Sequence, residues 1–484
     1  MILSALAALD TPPLATLLTP ERVHAYAIHH PSLSYLFAGT GLTDAHILAL
    51  QAVSDQAGLT ARLSGIMSGE PVNNGLPVAH FLKRKTGVAE SLKPVLDFVA
   101  QVQSGQCLSA SGAPFEAIVQ IGIGGCELGP RAAYHALRHM TEPRYPLHFL
   151  SNVDPHHIQD VLGRIPFEKT LFIVASKSGG TLETQTGLRV VEDLAQEKGL
   201  SIRENMVAIT QVGTVLDDPL RFRTVFHLAP GIGGRFSVSS PVGALPLALV
   251  FGPEILLSFF RGAAVQDAAA LTPDLRQNAA LMNAMVGIWE RDVLDYRAMA
   301  ILPYSEPLRF FGQHLQQLIC ESNGKTVRRD QQPVAWPTSP LVISDVGTNV
   351  QHAVFQTVHQ GSDVVPVQFI CAKSASGYVW DEHHRLLIAS LIGQTVALAK
   401  GKHDEDPAKA FPGSRPSSIV AMSALSPEAL GALFSFYECS VIFQGLFWDI
   451  NSFDQEGVEL GKTLTSQAMH APDALLNAFW EHLR

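Results

Sequence analysis

The sequence predicts an α/β protein built on two doubly wound parallel sheets, with helical extensions at both ends. Three observations carry this. Short β-rich runs alternate with helix-length polar segments from Ala117 onward, the alternation starts afresh near Ala298, and the flanking stretches show helical periodicity with little strand character.

The composition sets the bounds. The 484 residues are 47% hydrophobic and only 16% charged, which provides a large core and argues against extended disorder. A net charge of −10 disfavours nucleic acid and anionic membrane as partners, so an anionic substrate would need a locally positive pocket. The five cysteines are scattered with no C-x-x-C pair, which predicts reduced thiols in a cytoplasmic protein. The first ten residues lack the basic n-region of a signal peptide, and the apolar stretch 242–257 is interrupted by Pro246, Pro253 and Glu254, against a membrane span.

Taken in order, residues 1–110 read as a helical extension, with Leu92, Val95, Leu96, Val99 and Val102 at helical spacing. A first α/β unit over 111–285 has strand candidates at 117–121, 147–150, 170–175, 206–210 and 225–228, with 241–283 linking it to the next. A second unit over 286–465 has candidates at 299–302, 341–344, 364–370 and 418–422, with a long polar loop at 401–418. A C-terminal helix is expected over 466–484.

The run Ser176-Lys177-Ser178-Gly179-Gly180-Thr181 lies between an apolar strand and a helical pattern. Unpaired amides and the positive end of the helix dipole, three hydroxyls and one ammonium converge there, and the glycines allow close backbone approach; this is a phosphate cradle. The glycine turn at 122–125, after the first strand of the unit, invites a dinucleotide reading. It lacks the third glycine of that fingerprint, because Glu127 stands in its place, and only Asp154 at the end of the next strand keeps the reading open. Gly461-Lys462-Thr463 fails as a P-loop, since Gly457 is one residue too close and no strand precedes it.

Glu321 falls near the end of an amphipathic helix that Asn323-Gly324 would cap. There the negative end of the helix dipole makes a carboxylate a better proton acceptor. His352 and His359 are seven apart, about 10 Å along a helix, too far to share one metal. Arg235 follows two glycines in a turn and is placed to meet an oxyanion or phosphate. Lys462 stands alone as a cation in a dense polar segment.

In order along the chain, IGIGG at 121–125, SKSGGTLET at 176–184, GGRFSVSSPVG at 233–243, QQLICESNGK at 316–325, GTNVQH at 347–352, HQG at 359–361 and SFDQEGVELGK at 452–462 resemble the glucose-6-phosphate isomerase family, also called phosphoglucose isomerase, of the sugar isomerase (SIS) fold group. The resemblance implies two SIS-type domains and an aldose–ketose interconversion of glucose 6-phosphate and fructose 6-phosphate, in glycolysis and gluconeogenesis, with no metal or organic cofactor. It implies that Ser176, Lys177, Ser178 and Thr181 hold the phosphate and that Glu321 moves a proton between C1 and C2 through a cis-enediol. His352 would open the ring with Lys462 at the ring oxygen, Arg235 would stabilise the enediolate, and Gly125, Cys126, Gln317 and Gln455 would contact substrate. It further implies a homodimer in which His352 is contributed across the interface.

Four positions depart from the family pattern. Cys126 stands where serine is usual, Gly180 where threonine is common and Val350 where glycine is usual, and the stretch from Asn74 to His80 keeps the histidine of E-x-R-x-x-x-H while lacking both charges. These bear on affinity and sugar preference, including acceptance of mannose 6-phosphate. The reading from a different class is a sugar-phosphate sensor without turnover; the presence of Glu321 together with His352 weighs against it.

Overall fold

The computed structural model describes residues 6–82, 84, 88–374 and 381–483; the first five residues of the leader reading and Arg484 of the expected last helix lie outside them. The strands are β1 (Ala27–His29), β2 (Leu33–Leu36), β3 (Ala117–Ile121), β4 (Leu147–Leu150), β5 (Thr170–Ala175), β6 (Met206–Thr210), β7 (Thr224–His227), β8 (Ala298–Pro303), β9 (Leu341–Ile343), β10 (Val367–Ala372) and β11 (Ser417–Met422). The helices used below are α1 (Leu128–Leu137), α2 (Leu182–Glu197), α3 (Pro241–Phe251), α4 (Pro253–Ala269), α5 (Ala279–Ile288), α6 (Arg309–Asn323), α7 (Pro427–Trp448), α8 (Glu459–His470) and α9 (Ala474–Leu483).

The first sheet is wholly parallel in the order β4-β3-β5-β6-β7. Its central strands read AIVQI, TLFIVA and MVAIT and are buried along their whole length, so they show continuous apolar runs where a half-exposed strand would alternate. The chain reverses direction across the sheet between β3 and β5. At such a switch point the connections leave on opposite faces and open a crevice beyond the carboxyl ends of the two strands, where ligands bind. The glycine turn at 122–125 follows β3 and the serine loop at 176–181 follows β5, so both cradle candidates border one crevice.

The second sheet has the order β1-β2-β11-β10-β8-β9, parallel from β8 to β11. Its far edge corrects the reading of 1–110 as helical with little strand character. Residues 27–36 form a hairpin, and β2 pairs antiparallel with β11. These strands are three and four residues long, too short to show a period, and they become strands because β11 presents an edge and Ile28, Leu33 and Tyr35 have a core to enter.

The stretch 241–283, expected as a link, is core: α3 and α5 are apolar on all sides and largely buried, and α4 buries one face through Leu256, Phe259, Phe260 and Ala263. Pro246 inside α3 has no N–H to give the carbonyl of Val242, one turn earlier. The buried Gln120 side chain of β3 donates to that carbonyl at 3.2 Å and to the carbonyl of Cys126 at 2.7 Å, fastening helix, strand and glycine turn together. By length and mean hydropathy (1.4) α7 could cross a membrane, but 89% of its apolar window is buried, which marks it as a core helix. It crosses α4 so closely that a Cβ on Gly431 would sit 1.8 Å from the carbonyl oxygen of Phe259.

The single helix expected over 466–484 is two helices, α8 and α9. Pro472 breaks the run and the Asp473 carboxylate caps the second, accepting from the Leu476 N–H at 2.9 Å. No side chain of either is buried, and Leu460, Met469, Leu475, Phe479 and Leu483 stand 62–78% exposed.

Candidate active site

The serine loop leaves β5 with Ser176 buried and ends at Thr181, the N-cap residue of α2. Their hydroxyls meet at 2.9 Å. No side chain caps α2, so the amides of its first turn remain available to an anion. Gly179 has φ +70°, the left-handed turn that brings the loop round, whereas Gly180 has no such requirement and a Cβ there would meet nothing within 4 Å.

Lys177 is half-buried and, among the described residues, has no ion-pair partner. Burial, then repulsion from Arg235, pushes its ammonium below the ordinary lysine range, so the loop holds a cation short of a counter-ion. The Cys126 thiol lies against the Lys177 backbone, and burial pushes it up to about 11, so it stays a thiol.

The glycine turn approaches the arginine turn so closely that a Cβ on Gly125 would fall 2.1 Å from the carbonyl carbon of Gly234 and 2.5 Å from the Arg235 nitrogen. Only glycine fits. Arg235 is itself buried. Its Nε donates to Ser322 Oγ at 2.6 Å, its Nη2 to the carbonyls of Ser452 at 2.6 Å and Asp454 at 2.9 Å, and its Nη1 lies 3.2 Å from Glu321 Oε2. The guanidinium thus joins the last turn of α6 to the segment entering α8.

Glu321 opens onto a cleft of about 970 Å³ that Gln317, Lys325 and Gln455 also line. Gln317 Oε1 is buried without a hydrogen-bond partner among the described residues, an acceptor open to a ligand hydroxyl. Lys325 is committed to Asp454, at 2.7 Å from Oδ1.

Arg235 therefore stands between two groups: on one side the glycine turn with Gly125 and Cys126 and the serine loop with Ser176, Lys177, Ser178 and Thr181, on the other Glu321 with Gln317 and Gln455 in its cleft. His352 and Lys462 are not among the residues lining the cleft. His352 is exposed on a short turn (Asn349–His352), and Lys462 is exposed on α8 with its ammonium 2.6 Å from Glu459. His359 is packed between Phe355 and Phe411 and bonded to Gln394 at 2.9 Å, a structural role. Asp154, which kept the dinucleotide reading open, is the N-cap of the helix Pro155–Leu162 and accepts from His156 N at 2.8 Å.

A family model described as "Phosphoglucose isomerase" matches residues 37–477. The chain belongs to the phosphoglucose isomerase family. A glucose-6-phosphate isomerase from Treponema denticola is 40% identical over 487 residues, covering 96% of this chain and 93% of its own length. One from Chlamydia trachomatis serovar L2 is 40% identical over 473 residues, covering 93% of this chain and 89% of its own. The crystal structure of a glucose-6-phosphate isomerase from Chlamydia trachomatis superposes with a TM-score of 0.91 at 37% identity, covering 100% of this chain and 98% of that one.

The sequence reading passed over the supports of this phosphoglucose isomerase site. Ser322 and Lys325 sat inside a quoted motif without a role, and the carbonyls of Ser452 and Asp454 leave no mark in a sequence.

Proposed function

We propose the following division of labour for the aldose–ketose interconversion of glucose 6-phosphate and fructose 6-phosphate. The substrate phosphate sits on the hydroxyls of Ser176, Ser178 and Thr181 and the first amides of α2, and supplies the counter-ion that Lys177 lacks. Anchored there, the sugar extends past Gly125 and Cys126 towards Gln317 and Gln455, and its binding energy orients the reacting carbons. Glu321 takes the proton from C2 or C1 and returns it to the other carbon. Arg235 stabilises the enediolate between them, a charge that exists only on the reaction path. The 3.2 Å pairing of Arg235 with Glu321 is the observation that carries this reading, since it puts the base and the anion-stabilising group on one reacting edge.

His352, assisted by Lys462 at the ring oxygen, opens the sugar ring, and the working form is a homodimer in which His352 comes from the neighbouring subunit. The exposed position of His352 and, separately, the uncovered apolar side chains of α8 and α9 support a partner subunit. The five free cysteines support a cytoplasmic setting. A coupled assay of fructose 6-phosphate to glucose 6-phosphate tests the reading: wild type turns over, and Glu321→Gln binds the sugar phosphate without turnover. Undiminished turnover by Glu321→Gln would remove Glu321 from the role of base.

A further inference from the structure

Residues 77–82 and Arg84 grip the segment 231–239, which carries Arg235, at three points. The Ala79 N–H donates to the Gly231 carbonyl at 3.2 Å, and the contact is so tight that a Cβ on Gly231 would lie 1.8 Å from the Pro77 oxygen. The His80 ring stacks on Phe236, centroids 4.9 Å apart and 15° from parallel. Arg84 Nε donates to Ser239 Oγ at 2.8 Å, and its guanidinium is held from behind by Asp267 at 3.2 Å and by Glu438.

His80 is completely buried and, among the described residues, neither ring nitrogen finds a hydrogen-bond partner. Burial, then the neighbouring Arg84, keeps the ring neutral. An unsatisfied buried imidazole costs stability, so its place in the core needs another reason than stability. The stack supplies one. Phe236 adjoins Arg235 in sequence and packs in turn on Phe453, centroids 5.5 Å apart, next to the Asp454 carbonyl that Arg235 also binds. The column His80–Phe236–Phe453 therefore spans both walls between which the guanidinium is fixed.

We propose that His80 is a positioning residue for Arg235: its flat ring, clamped by the bonds of Ala79 and Arg84 on either side, sets the Phe236 ring and through it the guanidinium opposite Glu321. The inference rests on Arg235 stabilising the enediolate. That charge is met only on the reaction path, so loss of the stack lowers kcat and leaves ground-state binding nearly unchanged.

The test is a double-mutant cycle on the full-length enzyme, with thermal unfolding recorded for each variant. His80→Ala is expected to lower kcat roughly 10- to 100-fold with KM within about two-fold. In an Arg235→Lys background the same change should have little further effect, because the group being positioned is gone. His80→Phe, which keeps a flat ring and removes two unsatisfied nitrogens, should retain kcat and unfold at a higher temperature. An equal loss of kcat from His80→Ala in both backgrounds, no loss at all, or failure of His80→Phe to retain kcat overturns the proposal. If Arg235→Lys alone leaves kcat intact, the underlying reading of Arg235 fails, a separate outcome.

Discussion

Arg235 Nη1 stands 3.2 Å from Glu321 Oε2, and the same guanidinium binds the backbone of Ser452 and Asp454. One buried cation thus ties the proposed base to a segment more than a hundred residues away. Substituting Arg235 by Lys keeps a charge but not the fork that makes these contacts. Turnover should fall at least about ten-fold while sugar-phosphate affinity changes little, read as kcat against KM.

Gly180 offers room where family members often have threonine. A Cβ there meets nothing within 4 Å and the backbone needs no left-handed conformation, so Gly180→Thr should fold normally. If a fourth hydroxyl in the cradle contributes to phosphate binding, KM falls by a few-fold, about the worth of one charge-assisted hydrogen bond shared with water. An unchanged KM shows that the amides and existing hydroxyls suffice.

Subunit complementation tests the origin of His352. Glu321→Gln and His352→Ala homodimers should each be inactive. A dissociated and reassembled equimolar mixture should regain about a quarter of wild-type activity, since half the dimers are mixed and each holds one intact composite site. Absence of recovery from verified mixed dimers places His352 in the same subunit as Glu321.

Glu290 makes stability depend on pH. Its carboxyl is buried and burial alone pushes it up to about 8. The folded chain keeps this proton where the unfolded chain releases it, so stability is intact below the unfolded value and falls as pH rises through about 8. The loss is on the order of a few kcal/mol. Thermal midpoints at pH 6 and pH 9 should differ more for wild type than for Glu290→Gln; equal differences would show that Glu290 is not protonated in the fold.

What could be read in advance follows from where the information lies. The strands β3, β5 and β6 were legible because each is a continuous apolar run bounded by turn residues, and the serine loop because donors were concentrated between such a run and a helix. The β1–β2 hairpin was not, since Ala27–His29 and Leu33–Leu36 acquire their structure from β11, almost four hundred residues on. The same holds for Gln120, whose amide serves a carbonyl orphaned by Pro246, and for His80 and Arg84, which matter through contacts with Phe236 and Ser239. Motifs reveal the groups that face the substrate; the groups that hold them in place are spread through the chain and have no spacing of their own.

Exchange of the C2 proton with solvent reports directly on the step assigned to Glu321. Glucose 6-phosphate incubated with the enzyme in deuterium oxide, in parallel with a ligand-binding titration, should acquire deuterium at C2 with wild type, and with Glu321→Gln should bind and acquire none. Wild-type enzyme that binds the sugar phosphate without exchanging this proton would contradict a base-catalysed isomerisation at this site and leave a binding protein in its place.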